Sequence, residues 1–248
     1  MLRKRLITTL TINNGILFRT KLFEPDYRYT MNFIDTWSID EIITLDITRE
    51  PNGNRQRYLK TITDLAKNCF VPLTCGGGIR TLEDARQLFV AGADKIVLNT
   101  GALEKPELIS EIARVFGTQA IILSIDTKEV SKGDYRVFSH FGRKLHKLKP
   151  WDRAKQGQNL GAGEVLITAI DRDGSLEGYD LALTRRVTDT VSIPVLVLGG
   201  AGSWQHFVDG FEIGNASAVC TQNIYHFTEQ SIQNAKIFLA DKGINVRL

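Results

Sequence analysis

Cysteine, histidine and tryptophan are all scarce in this 248-residue chain, which has three Cys, four His and three Trp. The cysteines, Cys69, Cys75 and Cys220, are odd in number, lack metal-site spacing and sit among apolar residues. That pattern excludes a disulfide framework and reads as reduced thiols of a cytoplasmic protein. His140, His146, His206 and His226 are scattered without ligand spacing, so neither a metal nor another cofactor is expected. Charge of one sign is also lacking: the net charge is +3, too mild to argue for nucleic acid. No run is long and apolar enough to span a bilayer. The apolar stretch behind Arg3, Lys4 and Arg5 is short and broken by Thr8, Thr9 and Thr11, so no signal peptide is expected and the partners should include no membrane.

An internal repeat is present instead. Pro72-Leu73-Thr74 aligns with Pro194-Val195-Leu196 at an offset of 122 residues. At that offset Gly77-Gly78 falls on Gly199-Gly200, Gly92 on Gly214, and Ile96-Val97 on Ala218-Val219. Glu41-Ile42-Ile43 answers Glu164-Val165-Leu166 at 123. A unit this long used twice points to duplication of a half-domain rather than a solenoid. The expected organisation is one domain over 1–248, with half-barrels of about 1–119 and 120–248. Composition agrees, with 43% hydrophobic and 24% charged residues, ordinary for a globular domain.

Short apolar, β-rich runs occur at 6–11, 41–45, 71–74, 95–98, 120–125, 164–170, 194–198 and 217–221. Their near-continuous apolar character is that of parallel strands buried on both faces. Helix-like stretches lie between them at 54–68, 82–90, 106–116, 181–190, 204–211 and 227–239. Thr81-Leu82-Glu83-Asp84 reads as a capping-box start. Eight strands alternating with helices predict an α/β fold, a single (β/α)8 barrel; an open doubly wound sheet is the runner-up. The segment 132–149 breaks the rhythm, and its Tyr135-Arg136-Val137-Phe138 and Gly142 suggest a hairpin over the barrel mouth. Trp151 and Trp204 are expected to pack at helix starts, and the basic stretch 143–149 to be a solvated loop.

Barrel active sites sit at the C-terminal ends of the strands. Two glycine-rich turns, Gly76-Gly77-Gly78 and Gly199-Gly200, follow apolar strands in the two halves. Such turns either serve only chain reversal or let backbone N–H groups close on an anion; their symmetric pairing favours phosphate at two sides of the mouth. Asn99 and Thr100 add donors one strand further on. Asp126 closes the run Ile121-Ile122-Leu123-Ser124-Ile125-Asp126, and the answering position in the first half holds Thr11.

With those motifs in place, the chain resembles the cyclase subunit of imidazole glycerol phosphate synthase over essentially its whole length. The resemblance is carried by Leu45-Asp46-Ile47-Thr48, 71–80, Ala91-Gly92-Ala93-Asp94-Lys95, Gly161-Ala162-Gly163-Glu164, Asp171-Arg172-Asp173-Gly174 and Gly199-Gly200-Ala201-Gly202. It implies a (β/α)8 barrel that receives ammonia from a glutaminase at its bottom and closes an imidazole ring at its top. Two aspartates after strands one and five would act as acid and base on a bisphosphorylated ribulosyl intermediate. Gly78, Asn99, Thr100, Asp173, Gly174 and Gly200 match the family's phosphate positions. Asp126 matches the second aspartate, but Thr11 stands in place of the first. A hydroxyl is too weak an acid or base to replace a carboxylate near neutral pH. Arg19 replaces a lysine, and Gln222-Asn223 stand where the family has small residues.

At the other strand ends, Arg5, Glu41, Lys95 and Glu164 begin strands one, two, four and six. They form either a neutral ring of ion pairs or four solvated strand entries; the resemblance implies the former, the gate of an ammonia channel. Asp94 and Gln119 match partner-contact positions. The reading that follows is a barrel that docks a glutaminase and conducts ammonia. The acceptor would be an acetamido sugar in surface-polysaccharide biosynthesis, amidinated by a separate ATP-dependent amidotransferase. The alternatives are a true cyclase of histidine biosynthesis and a non-catalytic scaffold that activates the glutaminase.

Overall fold

The computed structural model describes residues 3–28, 38–49, 55–222 and 229–248. Its strands in chain order are β1 (Arg5–Asn13), β2 (Ile16–Lys21), β3 (Glu24–Arg28), β4 (Glu41–Asp46), β5 (Leu73–Gly76), β6 (Lys95–Leu98), β7 (Ile121–Ser131), β8 (Asp134–Ser139), β9 (Lys144–His146), β10 (Glu164–Ala169), β11 (Val195–Leu198) and β12 (Ala218–Thr221). The helices are α1 (Arg55–Ala66), α2 (Leu82–Ala91), α3 (Thr100–Glu104), α4 (Glu107–Phe116), α5 (Pro150–Leu160), α6 (Leu181–Thr188), α7 (Trp204–Glu212) and α8 (Glu229–Asp241).

Eight of these strands close on themselves. Parallel pairing runs β1–β4–β5–β6–β7–β10–β11–β12 and back to β1, with a helix after each of these strands from β4 onward and, among the described residues, the β2–β3 hairpin after β1: a (β/α)8 barrel. Side chains alternate across the wall, as the pleat dictates. Ile7, Ile43, Val97, Ile122, Leu166 and Leu196 pack inside the barrel. Their neighbours Leu6, Ile42, Ile96, Ile121, Val165 and Val195 pack outward, in the layer shared with the helices. Both layers are dry, which is why the strands read as unbroken apolar runs. The repeated runs fall on opposite sides: β5 and β6 are third and fourth around the ring from β1, β11 and β12 seventh and eighth.

Local chemistry fixes the element ends. Thr81 caps α2 through Asp84 N, and the Asp84 carboxylate accepts from Thr81 N, the predicted box. Asp180 and Ser203 cap α6 and α7 through their side chains, which accept from Leu183 N and His206 N. Gly92 ends α2 in the left-handed region at φ 114°, where a side chain is strained. Trp151 and Trp204 lie in the first turns of α5 and α7; Trp204 packs on Phe238, and the Arg186 guanidinium stacks 3.5 Å from the Trp151 ring centroid.

Two elements depart from the expectation. α5 (Pro150–Leu160) is a full helix where none was predicted. Its buried face is made of Pro150, Arg153, Ala154 and Gly157 rather than large apolar residues, so it carries no hydrophobic stripe. β2 and β3 form a second hairpin, extending β1 beyond the barrel rim through pairs such as Thr11 with Phe18. It answers the expected hairpin, in which β7 runs on past Asp126 to pair with β8, and β8 with β9. Three residues of the basic stretch at 143–149, Lys144–His146, form strand β9 at the edge of the expected hairpin, and the rest is turn and loop. Asn223 and His226 lie outside the described residues.

Candidate functional site

At the bottom of the barrel the four strand-entry charges form a closed circuit. Arg5 donates to Glu41 at 2.8 Å and to Glu164 at 2.7 Å. Lys95 donates to the same two carboxylates, at 3.1 Å to Glu41 and 2.9 Å to Glu164. Thr74 Oγ1 adds a bond to Glu41 Oε1 at 2.7 Å. Burial works against the Glu164 charge, but the Arg5 bond and the two cations outweigh it and hold its pKa below the usual glutamate value. Burial likewise opposes the Arg5 charge, and bonding to Glu164 overrides it. The ring is formally neutral and closed by its own bonds, with Glu41 buried and the Arg5 and Lys95 side chains partly exposed. Asp94 and Gln119 are exposed outside it: the Asp94 carboxylate accepts from Leu73 N at 2.8 Å, and Gln119 Nε2 donates to Phe116 O at 3.2 Å.

At the top lies a cavity of about 610 Å³, whose walls include Thr11, Asp46, Arg55, Gly77, Gly78, Arg80, Asn99, Thr100, Ser124 and Asp126. Asp126 is 9% exposed. Its carboxylate accepts from Asn99 Nδ2 at 2.7 Å and from Ser124 Oγ at 3.4 Å. Burial pushes its pKa up to about 7, against those two bonds and with help from the Asp173 charge. Thr11 is 3% exposed, and its hydroxyl donates to the Phe18 carbonyl within the first hairpin. The hydroxyl is thus committed to the backbone, and the cavity holds one carboxylate in the acid–base position where the resemblance implies two.

The glycine turn after β5 has the shape an anion site needs. Gly77 and Gly78 have φ of 100° and 66°, and a Cβ at Gly77 would lie 2.4 Å from the Asp46 carbonyl oxygen. Arg55 Nη1 donates to Gly77 O at 2.7 Å, while its Nε and Nη2 are buried with no hydrogen-bond partner. Arg55 and Arg80 were not among the site residues expected from sequence. Arg80 lies two residues after Gly78, a basic residue in a place that signals anion binding. Arg55 begins α1 with no motif around it.

The opposite glycine turn is built differently. Arg19, Thr20, Asp173, Gly174, Gly200 and Gln222 surround a space of only about 30 Å³. Gln222 Oε1 accepts from Thr20 Oγ1 at 3.0 Å and from Thr20 N at 3.2 Å. Asp173 Oδ1 lies 3.1 Å from the same Thr20 Oγ1, whose single proton it shares with Gln222, and Asp173 Oδ2 accepts from Phe23 N at 2.9 Å. The β2–β3 hairpin is therefore fastened across this side of the mouth. Both hairpin turns place bulky residues in the left-handed region, Leu22 and Phe23 in one, His140 and Phe141 in the other; Phe23, His140 and Phe141 line the large cavity.

Comparison with known proteins bears on this arrangement. A family model described as "Histidine biosynthesis protein" matches residues 10–230. The chain belongs to that family. The match takes in the top cavity, both glycine turns and every ring residue but Arg5. Among the described residues, no group of three or more His, Cys, Asp or Glu side chains is arranged to hold a metal ion. The three cysteines are free thiols, and burial pushes Cys75 up to about 12. No described helix is long and apolar enough to cross a membrane.

Proposed function

We propose that this histidine-biosynthesis-family barrel is the ammonia-receiving subunit of a glutamine amidotransferase complex. A glutaminase docks at the bottom of the barrel, and ammonia enters through the Arg5–Glu41–Lys95–Glu164 ring and emerges at the top. The final product is made by a separate ATP-dependent amidotransferase that converts an acetamido sugar to its amidino form in bacterial glycan biosynthesis. The observation that carries the reading is the contrast between the two ends. The charged ring is complete and self-paired, whereas the chemical end has one carboxylate, Asp126, in the acid–base position and a committed hydroxyl at Thr11. Acid–base groups typically supply about 10²–10⁴-fold each, so a cyclisation that needs two carboxylates would be slowed by orders of magnitude. Exposed Phe70, Val90, Val115 and Ile213 lie before β5 and at the C-terminal ends of α2, α4 and α7, the ends that lead into strand entries, and supply apolar surface suited to a protein partner. The top still meets a phosphorylated small molecule at the Gly77-Gly78 turn.

Family membership favours a second reading, cyclase activity in histidine biosynthesis, and Asp126 titrating near neutrality would suit a general acid. The deciding experiment purifies the chain with its cognate glutaminase. Glutamine hydrolysis is then followed alone, together, and with the family's bisphosphorylated ribulosyl intermediate. Complex formation without imidazole product supports the conduit. Turnover of the intermediate overturns it in favour of the cyclase, and failure to bind any glutaminase removes the basis for both the conduit and a scaffold that merely activates the partner.

A further inference from the structure

The two glycine turns are related by the internal repeat, yet only one of them lines a large cavity. We infer that the barrel mouth takes a ligand carrying a single phosphate, and that Gln222 and Thr20 have converted the second anion site into a latch. This deepens the reading in which the mouth meets a phosphorylated small molecule.

On the open side, Gly77 and Gly78 turn their backbone toward a cavity of about 610 Å³. Arg55 presents two buried nitrogens, Nε and Nη2, without hydrogen-bond partners; Arg80 stands on the same wall, exposed and paired through Nη1 with Glu104 at 2.7 Å. Buried donors of this kind are costly unless something accepts from them. A phosphate oxygen is the acceptor whose charge matches. Asp84, on the same wall, already accepts from Arg80 N, Thr81 N and Thr81 Oγ1 in the helix cap. Asp46 accepts from Thr48 N.

On the closed side, about 30 Å³ holds a water or two but not a phosphate. An anion arriving there would have to expel Gln222 and break both bonds from Thr20. It would then lie beside the buried Asp173 carboxylate, whose pKa burial already raises. Arg19 lines the same space, but its charge already acts on Asp173, and the lost bonds remain to oppose an anion. A bisphosphate spanning the mouth therefore gains nothing from its second end. The rest of a monophosphate ligand lies instead against the polar inner wall, where Thr168, Ser124 and Asp126 face the large cavity.

The test compares ribose 5-phosphate with ribulose 1,5-bisphosphate by titration calorimetry on the purified barrel, without glutaminase, so that its result is independent of ammonia transfer. The two should bind within about threefold of each other. Arg55→Met should weaken both by about tenfold or more, the loss of a charge-assisted contact. Gln222→Ala, with Gln222→Ser as a second variant and circular dichroism as the check on folding, should open the latch and favour the bisphosphate by about tenfold. Wild-type preference for the bisphosphate by that margin, or no binding of either sugar phosphate at millimolar concentration, overturns the inference. Failure of either Gln222 variant to gain affinity for the bisphosphate shows that Gln222 is not the latch and overturns it as well.

Discussion

Replacing Lys95 with methionine tests whether the bottom ring is a cohesive unit. The substitution keeps the aliphatic stem and deletes one charge, leaving Glu41 and Glu164 to share Arg5. Glu41 is 2% exposed at its side chain and Glu164 12%, so neither carboxylate can turn to bulk water for compensation. Removing one partner of a buried pair costs about 3–5 kcal/mol; because Arg5 still bridges both carboxylates, about 2 kcal/mol is expected here. The pH dependence has a definite sign. The folded pKa of Glu164 is depressed, first against burial by the Arg5 bond and then by the Arg5 and Lys95 charges. Its contribution is present above the unfolded value and lost as pH falls through the folded one. In Lys95→Met that depression shrinks, so the carboxylate takes up a proton sooner on acidification and relieves the excess negative charge. The gap between wild type and variant should therefore hold from pH 7.5 down to about 5 and narrow as pH falls below the ordinary glutamate value of about 4.3. Urea unfolding at several pH values measures it. A penalty below about 0.5 kcal/mol, as for an exposed pair, or one independent of pH, would refute the reasoning.

Other perturbations follow from the same geometry. Asp126 has a raised folded pKa, so its contribution is present below the unfolded value of about 3.9 and lost as pH rises through about 7. Asp126→Asn should accordingly stabilise the protein by about 2 kcal/mol at pH 8 and by little at pH 4, read by thermal melts at both. A Cβ on Gly101 would lie 2.1 Å from the Ile79 carbonyl oxygen, so Gly101→Ala should push α3 away from the glycine turn, cost about 2 kcal/mol and weaken phosphate binding in calorimetry. Thr81→Ala removes the bond to Asp84 N and should cost about 1 kcal/mol in urea unfolding, with sugar-phosphate affinity unchanged.

The eight barrel strands were legible because each is dry on both faces, so apolar continuity alone marked them. The capping box at Thr81 was legible because both of its bonds are local. α5 was hidden for a physical reason: Gly157 packs directly under Leu123, where a Cβ would sit 2.2 Å from Leu123 Cδ2. A helix pressed that close to the barrel buries glycine and alanine instead of leucine. The first hairpin did leave a signal, since Asn14-Gly15 adopts the paired left-handed turn that joins such strands, at φ 50° and 78°. At the sites, local sequence showed which residues end each strand but not what they touch. Gln222 and Thr20 are 202 residues apart in the chain, so their bond could come only from the closed ring of strands.

That ring also explains how the two ends can diverge independently. Arg5, Ile7, Thr9 and Thr11 project inward from one strand, and Arg5 and Thr11 are six residues apart, about 20 Å along β1. Between them lies the apolar layer of Ile7, Ile43, Val97 and Leu166. Neither end contacts the other, so replacing a carboxylate at the top leaves every bond of the ring intact. The intervening layer suits the proposed cargo: neutral ammonia can cross apolar side chains, whereas ammonium would face both the Arg5 and Lys95 charges and a dry interior. Passage then requires the ring to part briefly. Lys95 is the member best able to move, because its flexible stem carries a single ammonium whose bonds of 2.9–3.1 Å to the two carboxylates can be exchanged for water. Arg5, held to Glu41 and Glu164 through separate nitrogens, stays as the hinge-side pair.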